Sequence, residues 1–315
     1  MASRGKIAAA FATIYLFWGV TFLALRYTVA EVPPMLTIAI RCVIGAAVIY
    51  AWLALRGRLE RTTREQWLVA VGAGLLLFLG GHSVLAWAEM SVPSGQAALL
   101  LTAIPAWLVL IEAFRARRFP AGRVLAGLAL GTAGVGLLTL GAGPGGGGFE
   151  RIALVLAALA WAAGSLYARH GARPASAAQA TAMQLAAGGV IVLAASASTG
   201  ELSGFQLAAT SPRALGSLLF LVLGGTVAGF AAYTWLLRVT SAAAVGSYAF
   251  VNPVIAVGLA WAVGDEAASP VTALAGLLVV SAVLLLGGWF RLPAWVFARS
   301  RSLGAPAAQC EPLRR

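Results

Sequence analysis

A few side chains inside long apolar stretches of this 315-residue chain could carry a charge or a proton. His82, Ala86 and Glu89 recur at i, i+4 and i+7, so they share one face of a helix. Histidine changes charge near neutral pH, which makes His82 the candidate for proton coupling; the alternative is a plain hydrogen bond between helices. Arg41 stands about seven residues inside an apolar run, where a charge is costly and therefore a functional candidate. It could meet an anionic substrate or a gate. It could equally pair with Glu89, Glu31 or Glu266, or snorkel to the headgroups. Arg26, at the end of the first run, has the same two readings. No Asp or Glu occupies the middle third of any run, so a carboxylate-driven proton pump at the midplane is not expected.

Pro105 and Pro253 also fall within apolar runs. Proline removes a backbone donor and clashes with the preceding turn, freeing carbonyls at depth. Each predicts a broken or kinked helix that binds substrate, bends during switching, or is merely tolerated. Thr102 and Asn252 stand beside them, and Ser241, Tyr248 and Asn252 form a stripe at i, i+7 and i+11. Gln96, Gln184, Ser165, Tyr167 and Tyr233 are further polar groups at membrane depth. Other chemistries lack their residues. Cys42 and Cys310 form no C-x-x-C site, and only two histidines exist, His82 and His170. The glycine run at 141–148 has no following lysine, so it is a linker and not a phosphate cradle. Neither a cofactor nor a metal is expected, and a membrane-embedded enzyme is the remote alternative.

The elements that must position these residues follow from composition. Hydrophobic residues make up 61% of the chain and charged residues 10%, against about 25% charged in soluble domains. A soluble enzyme, a nucleic-acid-binding domain and a disordered chain are excluded, because none could keep so much apolar surface from water. Ten apolar runs of about 20 residues, each long enough to cross a bilayer, lie at 7–29, 34–55, 67–89, 93–113, 122–141, 150–168, 177–198, 214–237, 242–263 and 271–290. They are continuously apolar rather than alternating, which predicts helices and not a barrel. The first run is too long for a signal peptide. The net charge of +12 sorts by side. Of 22 basic residues, 18 fall in alternate loops and the two ends, 3 (Arg26, Arg151 and Arg213) on the opposite side, and Arg41 within a run. The positive-inside rule puts both termini in the cytoplasm, and no nucleic-acid partner is implied.

The chain also repeats. Segments 86–107 and 234–255 align with Trp87 on Trp235 and Pro105 on Pro253, and the first and sixth runs align Trp18 with Trp161 and Arg26 with Arg169. Five runs per half is an odd number, so the halves are expected to sit upside down relative to one another. Such a pair has two nearly equivalent states, one open to each side, which is the basis of alternating access.

The stretches IYLFWGVTFLALRY (14–27), PPMLTIAIRCVIGA (33–46), AWAEMSVPSGQAALLLTAIPAW (86–107) and SAAAVGSYAFVNPVIAV (241–257), followed by Gly264, Asp265 and Glu266, resemble EamA-type members of the drug/metabolite transporter superfamily. The resemblance spans roughly 7–290. It implies an all-α membrane protein of ten transmembrane helices in two inverted five-helix repeats, in a bacterial inner membrane, carrying small metabolites and usually outward. The repeats would be 7–141 and 150–290, with a Gly-rich linker at 142–149 and a basic cytoplasmic tail at 291–315. It further implies a central cavity that Trp18, Thr21, Trp87, Trp161 and Tyr233 approach. Partners are then a small-molecule substrate and the lipid bilayer. Gly127, Gly131, Gly134 and Gly136 in the fifth run form a packing or homodimer surface. The substrate reading is an amino acid or related compound; a sugar or nucleotide-linked solute importer or exchanger is the alternative. With no midplane carboxylate, the expected outcome in liposomes is transport unaffected by an imposed pH gradient; gradient-driven accumulation would instead require His82 or Glu89.

Overall fold

A computed structural model describes residues 3–117, 122–140, 148–240, 242–263 and 270–287. Most of the glycine linker, Ser241, Asp265, Glu266 and the basic tail lie outside the described residues. Those described form helices α1 (Arg4–Val29), α2 (Pro34–Leu55), α3 (Arg64–Ala88), α4 (Ser94–Arg115), α5 (Gly122–Leu140), α6 (Gly148–His170), α7 (Ala177–Ser198), α8 (Pro212–Val239), α9 (Ala242–Val245 and Tyr248–Val263) and α10 (Pro270–Gly287). They contain no strand. α6 starts at Gly148, so the last linker residues are helical.

Seven of these, α1 to α4 and α6 to α8, are long and apolar enough to cross a membrane. Shorter apolar stretches lie at Leu125–Gly134, Val251–Val263 and Ala273–Ala282. Local chemistry starts the helices where the sequence supplies caps. Ser3, Ser176 and Ser211 accept from Lys6, Gln179 and Ala214 backbone N–H groups, and Thr63 with Gln66 makes a reciprocal capping box. Pro34 and Pro212 occupy first-turn positions, where a missing N–H costs nothing.

α3 and α8 each carry an unusual centre. Residues Leu75–Ser83 and Leu221–Phe230 wind as π-helix between α-helical ends. Both open on leucine-rich residues and both contain a Gly-Gly pair, at 80–81 and 224–225. π-turns widen the backbone ladder and concentrate at functional sites.

Packing joins the halves rather than separating them. α2 lies along α7, and α5 along α10. α1 packs on α8 and α9, while α6 packs on α3 and α4; α3 packs on α7, while α8 packs on α2. Replacing each helix by the one five places along maps every pairing onto another. Small residues allow the closest approaches: a Cβ at Gly74 would stand 2.7 Å from the Gly188 backbone nitrogen on α7. The glycine face of α5 is used within the chain, since a Cβ at Gly131 would touch Ala282 of α10 at 3.4 Å.

Two carboxylates lock the loops between these pairs. The N–H groups of Ala175 and Ser176, at the start of α7, donate to Glu60 at 2.9 Å each. Gln179 and Glu60 exchange two further bonds, at 2.8 and 2.7 Å. Glu201, in the corresponding loop of the second half, accepts from Met35 and Leu36 N–H at the start of α2 (3.3 and 3.0 Å) and from the Ser196 hydroxyl (2.8 Å). Each acid neutralises the positive end of a helix from the other half. Glu31 makes a third cross-half link: the Ser211 N–H and hydroxyl both donate to it at 2.6 Å, holding its carboxyl below the usual range. Charge-assisted bonds to a part-buried acid such as Glu201 contribute about 1.5–3 kcal/mol. Glu201→Ala is expected to lower unfolding stability by about that amount, with Glu201→Gln recovering part of it, in thermal melts of the purified protein; an unchanged melt would show that the clamp adds nothing.

Candidate substrate chamber

α1 brings three site residues to one place. Trp18 and Thr21 are a helical turn apart, and Phe22 extends the same face. The Trp18 indole N–H donates to the carbonyl of Gly225 at 2.8 Å, inside the π-segment of α8. That approach exists because α8 offers glycine here. A Cβ at Gly229 would overlap Trp18 Nε1, and one at Gly225 would stand 3.0 Å from Thr21 Oγ1 and 3.2 Å from Arg41 Nη2.

Trp18 sits in an aromatic cluster. Its ring lies 5.7 Å from Trp161, 5.1 Å from Tyr233 and 4.9 Å from Tyr248. Tyr233 closes the group from α8, 5.6 Å from Trp161, and its hydroxyl bonds Ser165 at 2.6 Å. Phe78 and Phe230 complete it behind His82 and Trp161. Above this floor lies a chamber whose walls include Trp18, Thr21, His82, Trp161, Tyr248 and Asn252 together with small and aliphatic residues of α3, α4 and α6. Mainly apolar walls with a few convergent polar groups are the usual chemistry of small-molecule sites. Among the described residues no carboxylate lines it.

His82 stacks on Phe78 at 5.6 Å and meets the edge of Trp161 at 4.7 Å. Its Nδ1 is buried without a hydrogen-bond partner, so the interhelical bond open from sequence is not formed at that atom. Arg41 lies behind the wall. It is 3% exposed, its Nε donates to Thr226 Oγ1 on α8 at 2.8 Å, and its Nη1 makes no hydrogen bond. Glu89, 1% exposed at the end of α3, is the carboxylate in electrostatic reach of it, and the same guanidinium reaches His82. Of the pairings open from sequence, Glu89 lies in its reach and Glu31 is held by Ser211 instead, while Glu266 lies outside the described residues.

The two proline sites differ. α4 breaks at Leu101–Thr102, where the ring of Pro105 excludes the regular bond to the Leu101 carbonyl four residues before it. Thr102 closes the break by donating its hydroxyl to the Leu99 carbonyl. Pro253 instead sits inside the helix Tyr248–Val263, and the interruption of α9 falls upstream at Gly246–Ser247. Asn252 stitches that region to α1: with its amide turned to satisfy both groups, the nitrogen donates to the Tyr15 and Tyr248 carbonyls at 3.2 and 3.1 Å, and Ser247 bonds the Tyr15 hydroxyl at 2.7 Å. Of the cavity candidates, Arg41, Trp87, Gln96, Thr102, Pro105, Tyr233 and Pro253 are not among the residues that line the chamber. Trp87 meets Phe149 at 5.9 Å, Gln96 accepts from Arg151 at 3.0 Å, and Arg26 is half-buried at the end of α1. Thr226, Gly225, Phe78 and Phe230 were not singled out from sequence. The signal available for them was the pair of Gly-Gly steps at matching places in two leucine-rich runs.

An all-helical bundle with several membrane-long apolar helices defines a multi-pass membrane protein. The chain belongs to the EamA-like transporter family, which it matches twice, over residues 5–140 and 149–288. It is 32% identical over 293 residues to the uncharacterized inner membrane transporter YedA of Escherichia coli (strain K12), covering 89% of this chain and 90% of that one. It is 27% identical over 289 residues to the uncharacterized transporter YvbV of Bacillus subtilis (strain 168), covering 88% and 90%. A solved crystal structure matches with a TM-score of 0.65 at 24% identity, over 90% of this chain and 96% of that one, a likeness of fold.

The close seat of Trp18 on α8 is open to test. Gly229→Val is expected to destabilise by about 1–3 kcal/mol, the cost of overpacking, and to shift tryptophan emission. Unchanged melting and emission would refute the packing described.

Proposed function

We propose that the protein is a secondary transporter that moves small organic metabolites, amino acids or related compounds, out across the inner membrane by alternating access. The chamber at the meeting of both halves carries this reading: α1, α3 and α4 face α6 and α9 across it. Two repeats, 7–141 and 150–290, would be inverted with both termini cytoplasmic, and the reciprocal packing and the matched π-segments support that relation. In this reading Trp18, Thr21, Trp161, Tyr248 and Asn252 contact substrate, and the breaks near Pro105 and before Pro253 let α4 and α9 bend. Arg41, His82 and Glu89 form the buried charge group whose arrangement changes as the chamber switches sides.

Purified protein in liposomes, challenged by counterflow with a labelled panel of amino acids and sugars, tests the reading. Amino-acid exchange is expected; robust sugar counterflow without amino-acid uptake would overturn it. Arg41→Lys retains the charge but loses the planar fork and the Thr226 geometry. It is expected to fold normally and to lose about tenfold in transport, the scale of one charged hydrogen bond. Unchanged transport would make Arg41 structural.

A further inference from the structure

A second cavity lies on the far side of Tyr233 from the chamber, enclosed by α3, α6, α7 and α8 at the end that the charge distribution assigns to the cytoplasm. It is a narrow cleft lined by Arg169, Arg173, Arg238, Gln184, Thr234 and Tyr233 with aliphatic neighbours. Three arginines line it, and among the described residues no carboxylate does. Glu112 and Glu60 reach Arg169 and Arg238 electrostatically but are not part of the lining.

The arginines have a structural task that leaves donors over. Arg169 Nη1 donates to the Leu237 and Thr240 carbonyls at 2.7 and 3.0 Å, closing the end of α8. Arg238 Nη1 and Nη2 donate to the carbonyls of Pro174, Ala175 and Ser176. Arg173 Nη1 donates to the Arg169 carbonyl. A guanidinium has five N–H donors. Nε and Nη2 of Arg169 hydrogen-bond no described residue, which leaves three N–H groups in the fork geometry that fits a carboxylate. The positive-inside rule accounts for arginines at this end of the chain. It does not account for three of them lining one cleft beneath an aromatic chamber. A cleft lined by one sign of charge within low-dielectric walls concentrates counter-ions.

We infer that this cavity is an anion-binding vestibule that takes the carboxylate of the transported solute before its apolar body passes Tyr233 into the chamber. The substrate class is then an organic carboxylate with a small aromatic or aliphatic body. The inference rests on the transporter reading and names its substrate chemistry.

Equilibrium binding and melting of the purified full-length protein can be compared for two matched pairs, phenylacetate with 2-phenylacetamide and octanoate with octanamide. At least one carboxylate is expected to bind saturably and at least tenfold more tightly than its amide. Raising NaCl should weaken that preference. Arg169→Gln and, independently, the rim variant Arg173→Gln should reduce it at least threefold while amide binding stays the same. Equal binding of acid and amide, absence of binding by both acids, or a preference that survives both substitutions would overturn the vestibule. These outcomes are separable from failure of the transport reading, which shows as absent counterflow for every solute.

Discussion

Lipid offers no hydrogen bonds, so every polar group placed within the bundle must find its partner in the protein. Trp18 and Arg41 beside the chamber answer that constraint, while His82 Nδ1 and Trp161 Nε1 in its wall are left without a hydrogen bond. The Trp18 N–H, which water would satisfy in a soluble protein, is met by the Gly225 carbonyl. The buried guanidinium of Arg41 is met by Thr226 and by the nearby charge of Glu89. Both partners of α8 come from its π-segment, whose glycines leave room for the groups they serve. The widened turn is thus what allows α1 and α2 to bring polar side chains to membrane depth. Without it, the same residues would be buried charges and donors lacking partners, at several kcal/mol each.

The constraint also organises the ends of the helices. Four N–H groups at the start of each helix lack intrahelical partners. Glu60 and Glu201 supply acceptors to α7 and α2 from loops of the opposite half. Arginines do the converse at carbonyl ends, as Arg169 does for α8. Acids at helix starts and cations at helix ends complement the backbone dipoles in both places. Aromatic contacts then fill the space between, where the interplay of Trp18, Trp161, Tyr233 and Tyr248 forms a floor without any charged group.

Length, continuous apolarity and basic-residue placement made the helical membrane character legible in the sequence, since bilayer thickness and loop charge act locally along the chain. A repeat was legible from the alignment of Trp18 with Trp161, and the family model matches the chain twice, over 5–140 and 149–288; the two rings lie 5.7 Å apart. Grouping of Thr21, His82, Tyr248 and Asn252 around one chamber was partly legible, because depth can be counted along a helix. Azimuth was not. Trp87 and Gln96 stand at the right depth but turn toward Phe149 and Arg151. The π-segments were illegible because helical periodicity does not announce an inserted residue. Pro253 shows a related limit: the ring marks where a bond is lost, while the interruption itself falls earlier, at Gly246–Ser247.

The crossed placement of Glu60 and Glu201 reaches beyond the energy of single bonds. Each half of the chain holds the acid that finishes a helix belonging to the other. A five-helix half made alone would expose one bare helix start and carry one carboxylate with nothing to receive. The two family-matching halves are therefore interdependent: each completes the other's secondary structure.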